Sequence, residues 1–285
     1  MIRLGVTGVK GDWPFLAKAG CLERHFGRAP KKGESRIAPK AICHLCLTGL
    51  PGYHISECSN NPRFEQTMDS AAAQVPWDTL SPLLEHLPNF PRAALMLRPD
   101  VWHNWHLGMG KAFLASAMEW MEVWLSDPSR VELVASEQRL QLVLLVLRSI
   151  NELFRTLYRS GAWLDQATAK RVAFLGLQSM RGYRKLAVLS VALRQPRFPV
   201  YPKFHMLFHA FRFVELSAEA NEWTESPLTD SCQMDETFIG VLSRYSRRVS
   251  PKDTISRTYD IYLTSLHQQW QRPLSKESED DAEQL

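Results

Sequence analysis

A helix-dominated α+β protein is what this sequence predicts, and three observations predict it. Residues 2–11 alternate weakly between small and aliphatic types, with Val6 and Val9, and read as a strand. Residues 47–99 hold seven prolines, which forbid a long helix there. From Val101 onward, apolar residues recur at helical spacing through most of the chain. The expected organisation is a strand-and-loop region over residues 1–99, a helix-rich region over 100–272, and a disordered acidic tail over 273–285.

The elements follow in order. Residues 15–26 read as a short helix, and 27–40, with Pro30, Lys31, Lys32, Gly33 and Pro39, as a basic loop. Residues 112–125 place Phe113, Leu114, Ala117, Met118, Met121 and Leu125 at helical spacing. Residues 132–160 repeat the pattern, with Leu140, Val143, Leu147, Ile150, Phe154 and Leu157 on one face. A third long helix is expected over 167–193, broken at Gly182 and stopped by Pro196 and Pro199. Helices over 204–215, 238–245 and 256–271 complete the set, and no internal repeat is present.

Composition bounds the function classes. With 285 residues, 45% hydrophobic content and nine tryptophans, the chain can bury a sizeable core. The longest aliphatic run, residues 142–147, is far too short to cross a bilayer, and the N-terminus lacks the pattern of a secretory signal. A soluble intracellular protein with no membrane partner is therefore expected. Five cysteines, two of them in Cys43-x-x-Cys46, favour a metal knuckle or free thiols over a disulfide framework. The tail from residue 275 carries five acids and one base, so the rest of the chain stands at +8 against +4 overall. A basic body suits a polyanionic partner, although a solvated charged surface is the commoner origin of such an excess.

Five short motifs carry candidate chemistry. In Asp100-Val101-Trp102-His103, leading to His106, the ordinary role of Asp100 is a helix N-cap. Steps of three also line Asp100, His103 and His106 along one side of a helix, where a carboxylate and an imidazole can bind a divalent metal or orient a phosphate. Gly108 and Gly110 sit where a helix disfavours glycine, which predicts close backbone approach. Gly11-Asp12-Trp13-Pro14 reads first as a turn at a strand end. Cys43 and Cys46 need two further ligands for a closed zinc site; Cys21 with His25, or His54 with Cys58, have the required i, i+4 spacing, and the alternative is two buried free thiols. Lys203, His205 and His209 form Pro-Lys-x-His-x-x-x-His, whose two histidines face one way on a helix, as metal ligands or as buried core histidines. Asp235 and Glu236 stand before a helix bearing Arg244, Arg247 and Arg248. Their simplest role is to favour the helix N-terminus.

In this order the motifs resemble the core of eukaryotic cut-and-paste DNA transposases of the Plavaka, CACTA and Kyakuja–Dileera–Zisupton types. Asp100, His103, Leu107, Gly108 and Lys111 are similar to a signature around the second catalytic acid, and Gly-Asp-x-Pro followed by paired cysteines is similar to the preceding segment. The resemblance implies an incomplete ribonuclease-H-like α/β core interrupted by a helical insertion. It implies Asp100 as the central ligand of two Mg²⁺ or Mn²⁺ ions, with Asp12 and either Glu236 or Asp235 beside it and His103 orienting the phosphate. It further implies DNA as partner, through Lys31, Lys32, Arg36, Arg244, Arg247 and Arg248, and a nuclear location, with a homo-oligomer left open. A chain of this length leaves little room for a separate DNA-recognition domain, so a degenerate or repurposed copy is expected over a working enzyme. The alternative is a non-enzymatic zinc- and nucleic-acid-binding module; a helical interaction scaffold is the third reading.

Overall fold

The computed structural model describes residues 8–27, 41–68, 70, 75–85, 93–125 and 138–270. The basic-loop residues Lys31, Lys32 and Arg36 and the acidic tail lie outside the described residues. The protein is helix-dominated, with four three-residue strands among the described residues. It divides into two compact units, residues 1–232 and 233–285. The boundary expected at residue 99 falls inside the first unit, because the loop-rich region packs onto the helices through a shared core.

In the first unit, β1 (Val9–Gly11) leads into α1 (Trp13–Ala19), a short α2 (Pro82–Glu85) follows, and β2 (Leu97–Pro99) leads into α3 (Val101–Asn104). β1 and β2 pair in parallel, with Gly11 opposite Pro99. A π-helical turn, Trp105–Met109, joins α3 to α4 (Gly110–Leu125). Then come α5 (Gln138–Arg159), β3 (Trp163–Asp165), α6 (Gln166–Ala192), α7 (Pro202–Ala220) and β4 (Trp223–Glu225), the last antiparallel to β3.

The core is built on α7. Every residue from Phe204 to His209 is buried, so this helix has no solvent face over those six residues. α6 covers it, and α5 packs on α6 with Val143, Val146, Ser149, Leu153 and Leu157 buried at steps of three and four. That face is rotated slightly from the expected one: Leu147, Ile150 and Phe154 lie half-buried at its edge. The break expected at Gly182 does not occur, and α6 runs unbroken because Gly182 serves packing: a Cβ there would lie 2.5 Å from Val146.

Gly176 makes the corresponding contact with α7, where a Cβ would lie under 3.0 Å from the Phe211 ring. Phe211 is itself 2% exposed and has no room to withdraw. Gly176→Ala should therefore cost about 1–3 kcal/mol despite alanine's better helix propensity. Gly108→Ala meets chiefly the flexible Lys203 chain and should cost less. Urea denaturation of both variants checks the order; a stabilised Gly176→Ala would refute the close crossing.

The second unit is a helical pair, α8 (Gln233–Ser246) and α9 (Thr254–Trp270). Phe238 meets Tyr262 edge to face at 5.1 Å, and the Tyr245 hydroxyl donates to Ser265 Oγ at 3.1 Å. Among the described residues no helix is long and apolar enough to cross a membrane.

Candidate metal centre and the adjoining cleft

Cys43 and Cys46 sit in a tight loop whose sequence dictates its shape. The Cys43 sulfur accepts the Leu45 N–H at 3.3 Å, and Gly49, at φ 101°, turns the chain back so that its N–H reaches the Tyr53 carbonyl. That left-handed position favours glycine. Between the cysteines, His44 is fully buried with Nε2 3.0 Å from the Leu97 carbonyl, which ties the loop to β2. Burial, only partly opposed by that bond, pushes its pKa down to about 3, so the imidazole is neutral. Arg24 clamps the loop from outside, donating to the Cys43 carbonyl at 2.7 Å and the His44 carbonyl at 3.0 Å.

Against this loop α7 presents His205 and His209, one turn apart. Cys46 Sγ lies 3.2 Å from His205 Nε2 and 3.6 Å from His209 Nε2, and Cys43 Sγ lies 3.6 Å from His209 Nε2. The two Nε2 atoms are 2.9 Å apart, and all four donor atoms fall within 4.8 Å of one another. All four residues are buried. Tetrahedral metal–sulfur and metal–nitrogen bonds of ordinary length imply donor separations of about 3.3–3.8 Å. The two sulfur distances to His209 match the roughly 3.6 Å expected of a sulfur–nitrogen pair, while the Cys46–His205 distance and the nitrogen pair are each shorter than expected by about 0.4 Å. The Phe64 ring stands edge-on to His205 at 4.5 Å and to His209 at 5.4 Å, closing the site with an apolar wall.

The electrostatics describe a pair of thiols sharing one charge. Burial opposes ionisation of Cys46, but hydrogen bonds from Cys43, His205 and His209 outweigh it and pull the thiol far below its usual range. Burial and the neighbouring sulfur push Cys43 well above it. A cation relieves this conflict, because it stabilises both thiolates at once. Two thiols and two imidazoles so placed can hold a metal ion, and their softness disfavours Mg²⁺ and Mn²⁺.

The ligand pairs expected from spacing are not the ones that meet Cys43 and Cys46. Cys21 is exposed in a left-handed turn, His25 lines a different cavity, and His54 is exposed. Cys58 is buried, with its carbonyl accepting from Arg181 Nε at 3.1 Å. The partners are instead His205 and His209, read from sequence as a separate pair. A signal for this existed: two half-sets of two ligands, each lacking two.

Asp12 and Asp100 occupy matching positions, each directly after one of the two paired strands. Both are helix N-caps: Asp12 Oδ1 accepts Phe15 N–H at 2.8 Å, and Asp100 Oδ1 accepts Trp102 N–H at 2.8 Å. Asp100 does more. Its Oδ1 also takes Cys232 N–H at 3.1 Å, and Oδ2 pairs with His103 Nδ1, leaving the carboxylate fully buried. Asp12, Asp100, His103, His25, Lys18 and Lys203 border one cleft of about 630 Å³. Lys203 Nζ donates to the His103 carbonyl at 3.1 Å, across the close approach that Gly108 permits. His106 does not line this cleft and packs against Trp102, the ring centroids 3.8 Å apart and the planes tilted by 40°.

Among the described residues, the only group of three or more His, Cys, Asp or Glu side chains with converging donor atoms is the Cys43, Cys46, His205 and His209 set. Asp235 and Glu236 are exposed in the first turn of α8, and Arg244, Arg247 and Arg248 are exposed at its far end, all within the second unit. Comparisons with protein-family models, curated proteins and solved structures found no match to this chain.

Proposed function

We propose that this protein is a transposase-derived, zinc-stabilised module that binds nucleic acid and does not cleave it. The observation that carries the reading is a convergence. Four of the five motifs behind the transposase resemblance, scattered from residue 11 to residue 209, meet around the cleft and the cluster, while Asp235 and Glu236 belong to the second unit. Asp12, Asp100, His103 and Lys203 border the cleft, while Cys43, Cys46, His205 and His209 form the cluster that zinc would fill. Neighbouring parallel strands that end at one crevice are the usual place for a ligand in α/β architectures, which suits the remnant of a ribonuclease-H-like core.

Binding is favoured over cleavage by the state of Asp100. Both of its oxygens are engaged by backbone N–H groups and His103, so it acts as the anchor of α3 and not as an open metal ligand. Lys18, His25 and Lys203 supply the cleft with donors for phosphate, and Arg244, Arg247 and Arg248 add an exposed basic stripe on the second unit. A nuclear location follows from the same reading.

The test is DNA binding measured against salt. Affinity should fall steeply with salt, and the slope should shrink by roughly 1 for Lys203→Ala and roughly 3 for the Arg244, Arg247 and Arg248 triple alanine variant. Binding that ignores salt, or none at all, would end the proposal. Mg²⁺- or Mn²⁺-dependent nicking that disappears in Asp100→Asn would instead establish the enzymatic reading, which the strand-end placement of Asp12 and Asp100 favours.

A further inference from the structure

A second cavity, of about 300 Å³, lies between β2, α7 and β4 and shares Pro99 with the cleft. Its walls are apolar, chiefly Leu95, Met206, Phe213 and Val214, and its polar end is an ion cluster joining three elements. Arg98 Nη1 donates to Glu225 Oε2 at 2.7 Å and to Asp230 Oδ1 at 3.3 Å. Glu225 is satisfied at both oxygens, because Thr229 Oγ1 donates to Oε1 at 3.1 Å. Asp230 is held less tightly: among the described residues its carboxylate accepts only the long bond from the Arg98 nitrogen it shares with Glu225, and its side chain is 24% exposed. Lys10 lies nearby, but its Nζ donates to the Ser231 carbonyl at 3.1 Å.

We infer that this cavity binds a small organic ammonium, a primary amine on an apolar body, with Asp230 receiving the charged head. The volume suits on the order of ten non-hydrogen atoms, counting about 30 Å³ for each. Charge decides the class of head group. Burial works against the Arg98 cation, yet Glu225 and Asp230 outweigh it and raise its pKa, which marks a negative local field. Burial, with Glu225 adding to it, likewise raises Asp230 to about 6 against the pull of Arg98 and Lys10, so a carboxylate there is poorly solvated. A carboxylate ligand would meet Glu225 and Asp230 and be repelled. An alcohol would leave the charge as it stands. An ammonium gives Asp230 a charged donor in place of water, while its apolar body fills the apolar walls. The groups that face Asp230 are Arg98 from β2, Glu225 from β4 and Lys10 from β1, with His209 on the cavity wall.

The experiment uses the full metal-loaded chain and three probes of one shape: 2-phenylethylammonium, 2-phenylethanol and 3-phenylpropanoate. Calorimetry at pH 7.5 should find the ammonium bound at least tenfold more tightly than the alcohol, and the carboxylate weakest. Asp230→Asn should erase the preference for the ammonium while leaving the alcohol unchanged. Ala210→Phe, which fills the cavity from α7 without touching the ion cluster, should abolish binding of both, so loss in the two variants is traced to different causes. The ammonium should bind roughly tenfold more weakly at pH 5, where Asp230 is mostly protonated, and recover above pH 7. Equal affinity for the alcohol and the ammonium, preference for the carboxylate, or binding that survives Ala210→Phe would each overturn the assignment. Failure of all three probes to bind at millimolar concentration would overturn it as well. None of these outcomes bears on DNA binding, so the two proposals fail separately.

Discussion

Cys46→Ser and His205→Ala are each expected to yield protein without stoichiometric zinc and less stable by roughly 5 kcal/mol. The size follows from chain connectivity. Cys46 and His205 are 159 residues apart, and a cross-link closing a loop that long removes about 5 kcal/mol of unfolded-chain entropy. A chelator strong enough to strip the metal should reproduce the loss in the unmodified chain, because binding and folding are one free energy here. Cys21→Ser and His54→Ala should change neither metal content nor stability appreciably, both residues being exposed and outside the donor set. Metal analysis with urea unfolding of all four variants decides the matter. One zinc per chain in Cys46→Ser, or unchanged stability on chelation, would mean that the four side chains are only a buried polar cluster.

Phe198→Ala is the second large effect, expected at about 3–5 kcal/mol. Phe198 is fully buried in the connection between α6 and α7, with Trp120 edge-on at 5.0 Å, Tyr183 at 5.8 Å and Phe113 at 5.9 Å. Its N–H is held by Ser116 Oγ at 3.0 Å, and the Tyr183 hydroxyl donates to the next carbonyl, Pro199, at 2.7 Å. The backbone there has φ 56°, a conformation that costs a side chain roughly 1–2 kcal/mol. The ring packing therefore outweighs a strained backbone. Phe198→Gly loses the same ring but relaxes the strain, so it should cost no more than Phe198→Ala, the reverse of the usual order. Thermal unfolding of the pair tests this; a glycine variant clearly worse than the alanine variant would show that the backbone strain is not real.

Local information was legible in the sequence, and long-range coincidence was not. The periodicity of residues 112–125, 132–160 and 167–193 placed three helices that stand at Gly110–Leu125, Gln138–Arg159 and Gln166–Ala192, because burial of one face repeats every turn; residues 132–137 lie outside the described residues. The N-cap of Asp100 and the close approach at Gly108 were also readable, since both follow from neighbouring residues. Gly182 misled because a glycine that weakens a helix and one that admits a neighbour look alike until the neighbour is known; here it is Val146. The metal centre failed for the same reason at longer range. Helical spacing offered Cys21 with His25 and His54 with Cys58, whereas the pair that meets Cys43 and Cys46, His205 and His209, arrives on α7. Arg98, Glu225 and Asp230 gave no signal at all, their meeting being a product of how β2 and β4 pack on α7.

The order of ligands along the chain has a consequence for biosynthesis. Cys43 and Cys46 leave the ribosome at least 159 residues ahead of the first histidine that faces them. At elongation rates of about 5–20 residues per second, the pair stands exposed for on the order of ten seconds or more on every nascent chain. During that interval the thiols must stay reduced and uncommitted to any other metal. Synthesis in an oxidising medium should therefore yield chains joined through Cys43 or Cys46, while the same medium applied to the finished protein should leave both untouched.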